Sequence, residues 1–171
     1  MSTEQTKSTF EKWLGEYKGI ILRIVRAYAA TFQDRDDLFQ EILMQLWISI
    51  PRFGGRAEVS TWIYRVALNT ALIWKRSEKK HRRRRKPLLE LKETDELNDN
   101  HNSSKQIIEQ VYSAIRKLPK VDGSLMVMYL DGLSYNRMAE ILGISESNVG
   151  VKINRSKKRM AELLKGLIDD F

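Results

Sequence analysis

Along most of this chain apolar side chains return every three or four positions, the period of an α-helix, so the pattern predicts an all-α protein. Phe10, Trp13, Leu14, Tyr17, Ile20, Ile21, Ile24, Val25 and Tyr28 define a first helix over residues 9–31, capped by Ser8 or Thr9, with Gly15 or Gly19 as places to bend. A second opens at Asp34, turns Leu38, Ile42, Leu46 and either Ile50 or Trp47 inward, and is stopped by Pro51. A third is capped by Ser60 or Thr61 and faces the core with Trp62, Val66, Ile73 and either Ala67 or Thr70. This leaves Tyr64, Arg65, Leu68, Asn69, Leu72 and Lys75 at least partly outward. The pattern lapses at residue 77 and resumes at Ser104. Ile107, Ile108, Val111, Tyr112, Ile115 and Leu118 form one helix ending at Pro119, and residues 124–130 form another between Gly123 and Gly132.

The stretch 132–160 is the most informative. Ser134 caps a short helix with Met138, Ile141 and Leu142 on one face, and Gly143 supplies the left-handed residue that ends it. Ser145 caps a second helix in which Val149, Ile153, Ser156 and Met160 make an inward stripe. Asn148, Val151, Asn154, Arg155 and Lys158 fall opposite. Two helices joined by a short Gly turn also occur in plain helical hairpins, so topology alone does not decide the function. Charge does: residues 150–165 carry six Lys or Arg against one acid, and so one-signed a face attracts phosphate. The pair reads as a helix-turn-helix with its recognition helix at residues 147–158.

The whole chain agrees with that partner. Its 171 residues carry a formal charge of +8, and 42% apolar composition is enough for modest cores. Residues 75–86 hold nine basic side chains against one acid, a run no packed core tolerates, and residues 87–99 reverse the sign. We therefore divide the chain into a domain at 1–76, a charged, disordered or extended linker at 77–104 and a second domain at 105–171. The absence of Cys fits a reducing compartment. With no signal-peptide pattern at the start and no apolar run of membrane-spanning length, the expectation is a soluble, cytoplasmic protein.

Catalytic chemistry is not evident. His81 and His101 both lie in the charged stretch, away from any metal-ligand spacing. The loop RFGGRAEVS lacks the spacing and the Lys-Ser or Lys-Thr of a phosphate-binding loop, and no nucleophile elbow or HExxH occurs. Neither an enzyme nor a cofactor is expected.

Three motifs in order, DRDDLFQEILMQLW, then PRFGGRAEVSTWIYRVALNTALIWKRS, then GLSYNRMAEILGISESNVGVKINRSKKRM, make the chain resemble a sigma-70-type factor of the extracytoplasmic-function group. The resemblance implies two small helical domains, sigma-2-like and sigma-4-like, that bind RNA polymerase core and promoter DNA, usually under an anti-sigma factor. It implies that Asp37, Gln40, Glu41, Leu43 and Trp47 dock on the polymerase clamp. Arg56, Ser60, Thr61, Tyr64, Arg65 and Asn69 would capture flipped bases of the minus-ten element, with Lys75 and Arg76 on the adjacent duplex. Asn148, Gly150, Val151, Asn154 and Arg155 would face the minus-thirty-five element, with Lys152, Lys157 and Lys158 placed for phosphates. Gly150 and Val151 stand where basic and small polar residues are frequent, so base reading falls mainly to Asn148, Asn154 and Arg155. The alternatives are a stand-alone helix-turn-helix regulator that binds an operator without polymerase, and an interaction module that merely carries a basic tail.

Overall fold

The computed structural model describes residues 1–85 and 103–168, and among them every regular element is helical. Helix α1 (Thr3–Tyr28) begins earlier than the apolar pattern does. Ser2, not Ser8 or Thr9, is its cap: its hydroxyl accepts from Gln5 N while the Gln5 side chain accepts from Ser2 N, closing a capping box over an exposed first turn. The helix passes both Gly15 and Gly19 without interruption. Thr31, not Asp34, caps α2 (Phe32–Ser49), and Pro51 sits in a 3-10 turn at Ile50–Arg52. Helix α3 (Val59–Arg85) continues nine residues into the stretch read as linker. The rest of that expected linker, 86–102, lies outside the described residues.

These three helices enclose a first core. Ile21 and Ile24 from α1, Leu38, Ile42 and Leu46 from α2, and Ile63, Ala67, Leu68 and Ala71 from α3 are all buried. Helix α3 is therefore turned about one position from the expected face: Tyr64 and Leu68 point in, whereas Ile73 is 64% exposed and Trp62 and Val66 are half-buried. The helix carries apolar residues on several sides. The small pair Ala67 and Ala71 lies wholly buried on the side that wins, a pairing that lets helices approach closely.

Helices α4 (Ser103–Arg116), α5 (Lys120–Leu130), α6 (Tyr135–Leu142) and α7 (Glu146–Ile168) form the second half. Helix α5 starts at Lys120, so Gly123 lies inside it rather than before it. A Cβ there would stand 3.5 Å from the Ile115 carbonyl of α4. Ile115 and Leu118 are buried as expected, but Ile107 and Ile108 are exposed, since nothing described covers the first turns of α4. The helix-turn-helix forms as read. Ser134 caps α6, Gly143 takes φ 68°, the Ser145 hydroxyl accepts from Asn148 N, and Val149, Ile153, Ser156 and Met160 are buried.

The halves touch, α1 against α4 and α5, and α3 against α6, their buried apolar residues forming one cluster, with polar contacts among them. Tyr28 on α1 donates to the Lys120 carbonyl at 3.0 Å and meets Ser124, and burial pushes its phenol up to about 12. Glu109 on α4 takes Arg26 at 3.1 Å and Arg35 at 3.0 Å from the other half, and Arg116 at 2.8 Å from its own helix.

Candidate nucleic-acid interface

The recognition helix presents what its pattern promised. Asn148, Val151, Asn154, Arg155, Lys157 and Lys158 are exposed on α7, held there because the opposite stripe is buried against α5 and α6. Lys152 is half-buried, with Nζ 3.8 Å from Asp122 Oδ1. Gly150 is also half-buried; a Cβ at that position would rest at an ordinary 3.6 Å from the Tyr135 ring of α6. Two further cations are also engaged. Arg155 Nη2 donates to both oxygens of Asp122, at 3.2 and 3.0 Å, while keeping 60% of its side chain exposed. Lys157 Nζ lies 4.3 Å from the centre of the Tyr129 ring, and its hydrogen bond to the Tyr129 hydroxyl raises its pKa. Asp122, buried at the start of α5, was not visible as a site residue in the sequence. Spacing carries no sign of a carboxylate 33 positions from its arginine.

On α2, Asp37 and Gln40 are exposed, Glu41, Leu43 and Trp47 half-buried, and together they cover one continuous arc of the helix. Gln40 donates to Asp36 at 3.0 Å, Gln45 donates to Glu41 at 3.1 Å, and Trp47 stands edge-on to Phe10, with ring centres 5.5 Å apart. The arc also holds Met44 and Ile48, each close to half exposed.

The loop leading into α3 is positioned by aromatic packing that the sequence reading missed. Phe53 meets Trp13 edge-on at 5.0 Å and Trp62 at 5.6 Å, while Trp62 Nε1 donates to Ser49 Oγ at 3.2 Å. Gly55 turns the loop with φ 70°. Arg56 stays exposed.

The minus-ten candidates do not form one open surface. Thr61 and Tyr64 are buried. The Tyr64 hydroxyl donates to Asp131, and burial, followed by that carboxylate, raises the phenol well above its usual pKa. Ser60 accepts from Arg137 on α6, and Arg65 Nη2 donates to the Glu140 carbonyl at 2.7 Å. Asn69 instead is exposed on a groove of about 590 Å³ shared with Glu41, Ile48, Arg52, Ile73 and Trp74. Lys75 reaches the Tyr28 carbonyl at 3.4 Å and Glu78 at 3.4 Å, and Arg76 is exposed.

Among the described residues no group of three His, Asp or Glu could hold a metal ion, and no helix is long and apolar enough to cross a membrane. What the fold presents is a two-part helical binding protein with a helix-turn-helix at its end.

Family comparisons agree. Residues 13–81 match the model of sigma-70 region 2 and residues 108–160 that of sigma-70 region 4. The RNA polymerase sigma factor SigZ of Bacillus subtilis is 27% identical over 132 residues, covering 77% of this chain and 73% of that one. The ECF RNA polymerase sigma-E factor of Haemophilus influenzae is 24% identical, covering 95% and 90%. Among solved structures, the sigma factor RpoE of Bartonella quintana, in complex with the anti-sigma factor NepR, superposes with a TM-score of 0.71 at 18% identity, covering 92% of this chain and 97% of its own. CnrH, in complex with the cytosolic domain of CnrY, gives 0.68 at 18% identity, with 94% and 90% covered. The chain belongs to the sigma-70 family, in its extracytoplasmic-function group. It is a sigma factor, which binds RNA polymerase core and directs promoter recognition, melting and initiation.

Proposed function

We propose how that work is divided among residues. Residues 1–76 dock on core through Asp37, Gln40, Glu41, Leu43 and Trp47, and take unpaired minus-ten bases at Arg56, Ser60, Thr61, Tyr64, Arg65 and Asn69. Lys75 and Arg76 lie against the neighbouring duplex. Residues 105–171 read the minus-thirty-five element through Asn148, Gly150, Val151, Asn154 and Arg155, with Lys152, Lys157 and Lys158 on phosphates. The observation that supports this division is the exposed polar and basic face of α7 opposite a fully buried stripe, on a helix-turn-helix that follows α3 in chain order.

Holding a base out of the stack costs a few kcal/mol, and a pocket with hydrogen bonds offsets that cost without bond chemistry. The protein is thus not an enzyme, uses no cofactor and acts in the cytoplasm beside polymerase. An anti-sigma factor is its expected regulator, as CnrH and RpoE each have a protein bound in their structures.

Purified protein mixed with core polymerase and promoter DNA should give open complexes and transcripts. Tight duplex binding without core association would instead identify a stand-alone regulator.

A further inference from the structure

A buried carboxylate stands beneath the reading face of α7. Asp122, in the first turn of α5, has a side chain only 4% exposed, a burial that an acid tolerates only with cationic or hydrogen-bonding partners. Both of its side-chain partners among the described residues come from α7. Arg155 Nη2 donates to its two oxygens at 3.2 and 3.0 Å, and Lys152 Nζ stands off at 3.8 Å. Two turns further along α5, Tyr129 holds Lys157, whose Nζ lies 4.3 Å from the ring centre. The two supports differ in kind. A ring face takes an ammonium from many directions, whereas a carboxylate holds a guanidinium along the axis of its N–H groups.

Arg155 is therefore both anchored and available. Its side chain is 60% exposed although Nη2 is held from below. No described residue accepts from Nη1 or Nε, so the N–H groups on those two nitrogens remain for a ligand. The guanidinium is planar and rigid, so fixing one nitrogen restricts where the other two point. Swinging Arg155 away would leave the carboxylate buried with only the more distant Lys152, which biases the arginine towards one pose before DNA arrives. An arginine carries donors alone. In the major groove guanine offers two neighbouring acceptors, O6 and N7, whereas adenine sets a donor beside its N7. Ordering the donors in advance favours guanine without adding a contact to DNA.

We propose that Asp122 is a positioning residue for promoter reading: it holds the Arg155 guanidinium aimed at a guanine of the minus-thirty-five element, and sets base preference from beneath the helix. This rests on the assignment of Arg155 to that element. The carboxylate has a second consequence. It offsets one positive charge of a basic face, so it weakens the attraction to phosphate that every sequence shares while sharpening the contact made by one base pair. Neutralising it acts oppositely on the two: preference falls and sequence-independent affinity does not.

The test titrates full-length protein, with core polymerase, against promoter duplexes changed singly at each upstream base pair. Arg155→Ala should lower the preference for guanine at one position by about tenfold. Asp122→Asn should lower it at the same position by about threefold to tenfold, with affinity for the mismatched promoters equal or higher. In the Arg155→Ala background, Asp122→Asn should change preference no further. If Arg155→Ala leaves every preference unchanged, the assignment of Arg155 fails and the proposal falls with it. If Arg155→Ala acts but Asp122→Asn keeps the preference, or weakens all promoters evenly, the role of Asp122 is structural and the proposal alone is overturned. A second measurement needs no variant. Nitrogen relaxation at Arg155 Nε in the free wild-type protein should report a restricted side chain when compared with the exposed Arg56. Equal mobility overturns the proposal whether or not Asp122→Asn folds.

Discussion

Tyr64 and Asp131, 67 positions apart in the chain, are joined by a hydrogen bond from the phenol to a carboxylate that also holds Arg23. One acid thus ties together α1, α3 and the turn before α6. Removing only the phenol oxygen with Tyr64→Phe leaves the Arg23 pair in place and should cost about 0.5–1.5 kcal/mol. Asp131→Ala strands a buried phenol donor and should cost more, about 1–3 kcal/mol. Urea unfolding midpoints at constant slope decide the order, and equal losses would show that leaving the phenol donor unpaired adds no penalty beyond the lost bond.

Glu109 predicts a pH dependence. Burial pushes its carboxyl up, but the hydrogen bonds from Arg116 and Arg26 and the charge of Arg35 outweigh burial and hold its pKa below the usual 4.5. A lowered folded pKa gives stability that is fully present above 4.5 and lost as pH falls through the folded value. Thermal midpoints should therefore decline more steeply on the acid side in wild type than in Glu109→Gln. Parallel curves would remove Glu109 from the account.

Arg155→Ala should have two separable effects. In promoter binding it should relax preference at one upstream base pair by about 1–3 kcal/mol. In the free protein it leaves Asp122 buried, with only the distant Lys152 ammonium, and should cost about 1–2 kcal/mol in unfolding. Adding Asp122→Asn should restore much of the stability and none of the base preference. Loss of affinity spread evenly over all sequences would mean that Arg155 touches phosphate alone.

Ser156 belongs to the buried stripe of α7, and its hydroxyl has no hydrogen-bond partner. Ser156→Ala removes an unsatisfied polar group and raises helix propensity, so unfolding free energy should rise by about 1 kcal/mol with DNA binding unchanged. A destabilised variant would point to a water bound to that hydroxyl.

Gly143 turns α6 into α7 at φ 68°, where a Cβ meets no neighbour but the backbone itself is unfavourable for L residues. Gly143→Ala should cost about 1–2 kcal/mol. Asn, which tolerates that region, should cost less. Equal thermal midpoints for the three proteins would contradict the strain argument.

The helix-turn-helix could be read from sequence to the residue because every signal in it is local: a cap, a glycine and a stripe, all within one supersecondary unit. The face of α3 could not. Its apolar residues surround the helix, and what turned Tyr64 inward was an acid beyond α5 that no spacing rule connects to it. Phe53 was hidden for the same reason, since its two tryptophan partners come from different helices. Ile107 and Ile108 failed in the opposite sense: a helical period predicts that a stripe exists and leaves open whether anything covers all of it. The early start of α1 rests on the Ser2 and Gln5 pair, a polar device ahead of the first apolar repeat.

Helix α3 also sets a length scale. From Tyr64 to its end at Arg85 it is unbroken, and at 1.5 Å per residue that is roughly 30 Å of rigid rod. Under the proposed assignment of residues 60–69 to unpaired bases, with the basic run at the other end, the rod would span about nine base-pair steps at 3.4 Å each. On that assignment the length of the helix, not linker slack, would set the distance between the basic end and the melted bases, and removing one helical turn would shorten that reach by about 5.4 Å.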